Sequence, residues 1–280
     1  MAREDHREIG RRPVLQHAVR RLRVDPLSAD EVHGGRRIIL ATVDEAAYFR
    51  EHGYIALRGV VDPARAMVLA SEVDRVFPES RVAGARVHER IGISALSPLL
   101  AEQVRNADLG RRIARLLGCD RVQLLQDTAL VKPPRSEARV EWHQDHTYTG
   151  FIAECVSVRL ALTECTVESG CLRVIDRSHL AGVRGELRPF KALEVRDDSH
   201  AMPDGEIVSI ELQPGDVSVH HCLTFHSSLE NRSDRPRITL IARMFDARLR
   251  LQREKLPRGL EIYFPTDTDG RLSESAFPLL

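Results

Sequence analysis

Long apolar runs are missing from this sequence, and none approaches the ~20 residues of a membrane-spanning helix. An excess of one charge is missing too: 41 basic residues balance 41 acidic ones, and the pI is about 7.2. Such a chain has no general electrostatic attraction for nucleic acid or for an anionic membrane. Residues 1–12 mix arginine with glutamate and aspartate and hold no apolar stretch, so neither a secretory signal nor a mitochondrial presequence is expected there, and the expected compartment is the cytoplasm. Cysteine is scarce. Cys119, Cys155, Cys165, Cys171 and Cys222 are odd in number and contain no C-x-x-C pair, which argues against a disulfide framework or a zinc ribbon and for buried, reduced thiols. Aromatic residues make up 5%, with Trp142 the one tryptophan. Lysine stands only at Lys132, Lys191 and Lys255, so arginine is the default base and a lysine at a chemically interesting position is informative.

What is present is an ordinary globular composition, 42% hydrophobic and 29% charged, over 280 residues, enough for one large domain or two small ones. Residues 1–40 are rich in arginine, broken by Pro13, Pro26 and Gly34-Gly35, and read as a partly disordered extension ahead of a domain over 41–280. Thr42-Val43-Asp44-Glu45 is a capping-box pattern before a helix that stops at Gly53. Asp62-Pro63 predicts a helix to about Val76, and a third helix is expected from about Leu109 to Leu117, ending at Gly118. Beyond Gly118 the pattern changes to short β-rich runs at 54–57 (before it), 122–131, 156–162, 171–175, 207–212, 217–221 and 237–245, punctuated by Gly170, Pro203-Asp204-Gly205 and Pro214-Gly215-Asp216. Helices first and strands second predict an α+β fold, with an antiparallel sandwich or jelly roll as its body and the N-terminal helices packed on it. The irregular stretch at about 180–206, carrying Arg184, Arg188 and His200, reads as a lid-like insertion.

The densest chemical signal is Glu141-Trp142-His143-Gln144-Asp145-His146. On a strand, residues two apart share a face, so His143 and Asp145 can aim at one point while His146 points away. An imidazole and a carboxylate so placed are two-thirds of the 2-His-1-carboxylate triad that holds Fe(II) and leaves positions open. The third ligand must come from another strand. Candidates cluster in residues 216–226, which read as one strand carrying His220, His221 and His226; of the adjacent pair at most one can face inward. Arg237, eleven residues after His226, can return on a neighbouring antiparallel strand and offer a bidentate pair to a carboxylate beside the metal.

In series, Lys132-Pro133-Pro134, Trp142-His143-Gln144-Asp145 with Tyr148, Gly170-Cys171-Leu172, Ser178-His179, Pro214-Gly215-Asp216, His226, Asn231 and Arg237 resemble the phytanoyl-CoA dioxygenase family. The order and spacing match over about 43–246, including Phe49, Gly53, Tyr54 and Arg58-Gly59-Val60. The resemblance implies a double-stranded β-helix, or cupin-like jelly roll, that uses Fe(II), 2-oxoglutarate and O2. It implies His143, Asp145 and His226 as iron ligands, Arg237 as the partner of the distal carboxylate of 2-oxoglutarate, and Ser228 as a hydroxyl beside it. Thr128 falls at a co-substrate-contacting strand position. Gln126, Thr128, Leu130 and Lys132 share a strand face by alternation, so a polar row can line the pocket. His221 matches a common histidine of the family that is not a ligand and serves the core or supports the site.

Arg159 departs from the pattern, since the family often carries an aromatic residue, typically Trp, there. Pointing inward, it places a cation near co-substrate or substrate; pointing outward, it is a solvated strand residue. The reaction implied is hydroxylation of an unactivated C–H bond of a small molecule, a natural-product intermediate or small acid, with release of succinate and CO2. Asp145, rather than Gly or Ala, leaves no vacancy for a halide and argues against halogenation. Desaturation, epimerisation or cyclisation would use the same residues. A silent jelly-roll binding protein is the alternative of another class, and a hydrolytic zinc enzyme is disfavoured because nothing in it explains Arg237.

Overall fold

Each helix starts where a side chain can satisfy free amides. In α1 (Glu45–His52) the Asp44 carboxylate accepts from the amides of Ala46 and Ala47, and Gly53 closes the helix in the left-handed region. The cap is therefore Asp44 rather than the Thr42 of the capping-box reading, and Thr42 lies outside the described residues. Asp62 caps α2 (Pro63–Val76), with proline in its first turn as predicted. Ser97 caps α3 (Pro98–Val104), which the sequence pattern did not reveal, and Asn106 caps α4 (Ala107–Leu117), which ends at a left-handed Gly118. The computed structural model describes residues 19–22, 44–81, 87–149, 152, 154–184, 198–256 and 261–280.

The strands are β1 (Val19–Leu22), β2 (Tyr54–Leu57), β3 (His88–Ile91), β4 (Val122–Lys132), β5 (Val140–His143), β6 (Val156–Ala161), β7 (Leu172–Ile175), β8 (Ile207–Ile210), β9 (Val217–His221), β10 (His226–Ser228) and β11 (Arg237–Asp246). They form a major sheet in the order β2-β9-β6-β11-β4-β3 and a minor sheet in the order β1-β8-β7-β10-β5. This is the expected jelly-roll sandwich. All pairings are antiparallel except β1 with β8, which places four residues of the Arg-rich N-terminal region on the edge of the minor sheet. The rest of the proposed 1–40 extension, and residues 185–197 of the proposed 180–206 insertion, lie outside the described residues.

Side-chain alternation gives the major sheet two unlike faces. Leu57, Val217, Leu160, Leu240 and Ala129 lie side by side on its outer face, together with Val219, Val158 and Ala242. Phe49, Leu69, Val73, Leu100, Ile113 and Leu116 of the helices pack on that face in one continuous core. Each fully buried side chain of this size contributes roughly 1.5–3 kcal/mol. The inner face is polar where it meets β5 and β10. One row across it reads Tyr54, His220, Ser157, Arg243 and Gln126; the next reads Ala56, Ser218, Arg159, Ile241 and Thr128. At the far end Arg237 stands opposite Lys132. An apolar cluster including Cys165, Leu172, Val174, Val208 and Ile210 fills the rest of the space between the sheets.

Two sequence expectations are corrected here. Residues 216–226 are not one strand: β9 belongs to the major sheet and β10 to the minor one. The chain turns at 222–225, where the Thr224 amide donates to the His221 carbonyl (2.9 Å) and its hydroxyl donates to the Gly53 carbonyl (2.8 Å). Arg237 consequently belongs to the sheet opposite that of His226 and does not lie on a neighbouring strand.

Candidate active site

His143, Asp145 and His226 come together as predicted, with one ligand atom from each lying within 4.8 Å of the others. The local geometry differs from strand alternation. His143 is the last residue of β5, and Asp145 sits in the turn that leads into α5 (His146–Thr149). His226 opens β10 directly across from His143, and their rings lie 4.1 Å apart. Each imidazole Nδ1–H donates to a carbonyl two residues back, His143 to Glu141 (2.8 Å) and His226 to Thr224 (2.9 Å). A carbonyl only accepts, so this bond fixes the tautomer and makes each Nε2 the unprotonated nitrogen, the one able to bind a metal. Both Nε2 atoms stand 3.9 Å from Asp145 Oδ1. Two unprotonated imidazole nitrogens and one carboxylate oxygen suit a divalent transition metal.

Asp145 is held on every side. Its Oδ2 accepts from the Ser157 hydroxyl (2.5 Å) and faces His220 Nε2 at 3.3 Å, while Oδ1 accepts from Arg243 (3.1 Å). Arg243 in turn donates to Gln126 Oε1 at 2.8 Å. Burial acts to raise the pKa of Asp145, but Arg243, His226 and His220 outweigh it and hold the carboxyl well below its ordinary value. The carboxylate is thus ionised and oriented before any metal arrives. Replacing Ser157 by alanine leaves Oδ2 with His220 alone, and metal affinity is expected to fall about tenfold or more, read by Fe(II) titration, because partners behind a ligand commonly contribute that much.

Between the adjacent histidines the structure decides for His220. It lies on the inner row beside Ser157, and its ring is 4.3 Å from that of His226. His221 faces away, bonded to Glu154 (2.9 Å) and accepting from the Leu223 amide. His220, Ser157 and Arg243 were not singled out from the sequence as partners of Asp145. The signal available was the alternation of Ser218 and His220 with Val217, Val219 and His221. His146 lies outside the metal-binding group, and His179 bonds the Arg50 carbonyl (3.0 Å).

The remaining residues named from the sequence face the same interior. Arg237 is almost wholly buried; Nη1 donates to the Gly170 carbonyl across the gap between the sheets, while Nε and Nη2 have no partner among the described residues. Gly170 has φ +71°, and a Cβ there would fall 2.3 Å from the Leu229 carbonyl oxygen, so this anchor requires glycine. Thr128 Oγ1 is buried without a partner among the described residues. Ser228 shares the face of His226 two residues on. Lys132 donates to the carbonyls of Ser228 (3.3 Å) and Leu229, and burial, with Arg237 and Arg159 nearby, lowers its pKa to about 6. Arg159 faces inward. Guanidinium N–H groups aimed into one interior suit a carboxylate.

The proposed insertion is tied to this site at both described ends. The Gln144 side chain, between two candidate ligands, donates to the Gly182 carbonyl (2.9 Å) and accepts from the Arg184 amide (2.9 Å). The Asp198 amide donates to the Trp142 carbonyl (2.8 Å). Trp142 itself carries Arg173 over its ring at 5.0 Å, the side chain of Tyr148 lies outside the described residues, and all five cysteines are free.

Acid should weaken the metal-free protein. Burial lowers the pKa of His143, His146, His220 and His226 below 6.5. The unfolded chain takes up protons that these folded sites refuse, so their contribution is complete above about pH 6.5 and is lost as pH falls below it. Each histidine adds up to ~1.4 kcal/mol per pH unit. Asp145, also depressed, acts in a lower window, below about pH 4. Denaturant midpoints measured at pH 7.5 and pH 5.5 should show the histidine loss.

Comparison with known proteins agrees with this geometry. The sequence profile of the phytanoyl-CoA dioxygenase family matches residues 49–239. A phytanoyl-CoA dioxygenase of Arabidopsis thaliana is 30% identical over 127 residues, a match that covers 45% of this chain and 45% of that relative. The chain thus matches less than half the length of that relative. Among solved structures, the non-heme alpha ketoglutarate dependent carbocyclase SnoK from nogalamycin biosynthesis is similar with a TM-score of 0.71 and 22% identity, covering 89% of this chain and 100% of that one. The epimerase SnoN, solved with Fe3+, alpha ketoglutarate and nogalamycin RO, gives 0.64 and 23%, covering 84% and 96%. At these identities the structural likeness establishes a shared fold. Among the described residues no helix is long and apolar enough to cross a membrane.

Proposed function

The chain belongs to the phytanoyl-CoA dioxygenase family, and from that premise we propose that it is a non-haem Fe(II)- and 2-oxoglutarate-dependent dioxygenase that hydroxylates an unactivated C–H bond of a small molecule, releasing succinate and CO2. The observation that carries this reading is one interior holding both a His143/Asp145/His226 ligand set and the guanidinium of Arg237, whose Nε and Nη2 have no partner among the described residues. Ferrous iron and the 2-oxo acid, when bound, supply the activation of O2.

The chain's own residues bind and orient. His143 and His226 present unprotonated Nε2 atoms, and Ser157, His220 and Arg243 keep Asp145 ionised and aimed. Arg237 takes the distal carboxylate of 2-oxoglutarate through the N–H groups that no protein acceptor fills, with the hydroxyls of Ser228 and Thr128 as further donors. Gln126 fixes Arg243, and Lys132 fixes the end of β10, so both act on the co-substrate through the walls of its pocket. The substrate class is a natural-product intermediate or small acid met in the cytoplasm. The likeness to a carbocyclase and an epimerase favours ring closure or epimerisation as the second reading. Product mass separates them, since hydroxylation adds one oxygen, oxidative ring closure removes two hydrogens and epimerisation leaves the mass unchanged.

The test is anaerobic titration of metal-free protein with Fe(II) and then 2-oxoglutarate, watching for the weak visible charge-transfer band of a chelated 2-oxo acid. A band in the native protein that is lost in His143→Ala supports the reading. No band, with iron unbound, overturns it in favour of a silent jelly-roll protein.

A further inference from the structure

The cations of the inner face divide into those with a partner and those without. Arg243 is paired with Asp145 at 3.1 Å, and Lys132 donates to two backbone carbonyls. Arg237 is given the distal carboxylate of the co-substrate. Arg159 is left over.

Arg159 stands on β6 two residues from Ser157, the residue that holds Asp145, and on the same inward face. Its cross-strand neighbours are Ser218 and Ile241. Neither offers an anion; the Ser218 hydroxyl is itself buried without a partner among the described residues. Arg159 makes no hydrogen bond or ion pair with any described residue, and Glu89, the other acid on this face, sits three strands away on the sheet edge and forms no ion pair with it. Its electrostatic neighbours are Arg237 on one side and Asp145 and Arg243 on the other, which places it between the metal ligands and the Arg237 end. Burial first, and then Arg237, lower its pKa to about 10, so it is charged at neutral pH. Arg159 is half-buried, and its guanidinium N–H donors are taken by no described residue, so they stand available to an oxyanion entering the pocket. A strand arginine of no use inside would be accommodated more easily on a solvated face.

We propose that Arg159 is a second oxyanion-binding residue of this pocket, receiving a carboxylate-class group at a point between the metal ligands and Arg237. The inference rests on the dioxygenase reading for the identity of the first oxyanion. Two sources share the required chemistry: the metal-end carboxylate of 2-oxoglutarate, which has an oxygen to spare beyond the one given to the metal, or an acidic group on the primary substrate.

Two measurements on the full chain decide between them. The first is anaerobic titration of Fe(II)-loaded protein with 2-oxoglutarate, comparing the native protein with Arg159→Met, which keeps an apolar stem, and Arg159→Lys, which keeps the charge. The second is the Nε–Hε resonance of Arg159, assigned by its absence from Arg159→Met, followed during addition of sodium butyrate to protein saturated with Fe(II) and 2-oxoglutarate, and also to metal-free protein. A rise in the Kd for 2-oxoglutarate of about tenfold or more in Arg159→Met, partly restored by Arg159→Lys, assigns the site to the co-substrate. An unchanged Kd with a saturable butyrate shift of the resonance assigns it to an acidic primary substrate. An unchanged Kd with no shift under either condition overturns the proposal. Failure of the dioxygenase reading is seen separately, as absence of the chelate band in the native protein, and the butyrate titration of metal-free protein still tests Arg159 in that case.

Discussion

Arg237→Met is expected to raise the Kd for 2-oxoglutarate by about 100-fold or more while leaving metal binding in place. Truncating one partner of a buried, hydrogen-bonded charge pair costs roughly 2–5 kcal/mol, and each 1.4 kcal/mol is tenfold. The metal ligands are untouched, because Arg237 bonds to Gly170 and to none of them. The same substitution should make the protein without ligand more stable. Two of the three guanidinium nitrogens of Arg237 are buried without a partner among the described residues, and an apolar side chain of similar reach removes that cost. Co-substrate affinity read by the chelate band and a thermal melt of the metal-free protein check both halves. A residue serving only the fold would lose stability instead.

Asp145→Ala should behave in the opposite way, losing the metal and the fold's stability together. The carboxylate is the acceptor for Ser157 and Arg243 and the neighbour of His220, all on the inner row of the major sheet. Removing it leaves Arg243 with only Gln126 and an uncompensated buried charge, a change that typically costs ~3–5 kcal/mol. Fe(II) titration should show no specific binding, and the denaturant midpoint of metal-free protein should fall. Asp145→Asn keeps the volume and one acceptor, so it should lose the metal with a smaller stability loss. The pair of variants separates the carboxylate's role as ligand from its role as an anchor for Arg243.

These contrasting outcomes follow from an unusual division of the major sheet. Sandwiches generally bury apolar side chains between the sheets and turn polar ones to water. Here the outer face is covered by α1 to α4, so Val156, Val158 and Leu160 of β6 point out to the helices while Ser157 and Arg159 point in. The alternation itself was plain in the sequence. Which set faced the cavity was not, because that depends on a helical layer contributed by residues 45–117. The same ambiguity covered His220 and His221, neighbours on β9 whose faces are settled by Val217 and Val219 packing on the helices. Arg243 was hidden for a further reason. It bonds a carboxylate 98 residues earlier in the chain, on a turn of the facing layer.

The sequence by itself determined the ligand chemistry, the helix caps at Asp62-Pro63 and Gly118, and the order of helices before strands. These depend on residue identity and on neighbours a few positions away, where hydrogen-bond reach and backbone preference act locally. The tertiary structure decided which alternating face became the interior, that His143 and Asp145 meet across a strand end and a turn, and that His226 and Arg237 approach from opposite sheets. Those are outcomes of packing: burying one apolar face against the helices fixes the other face toward the cavity, and no local rule specifies which surface will be covered.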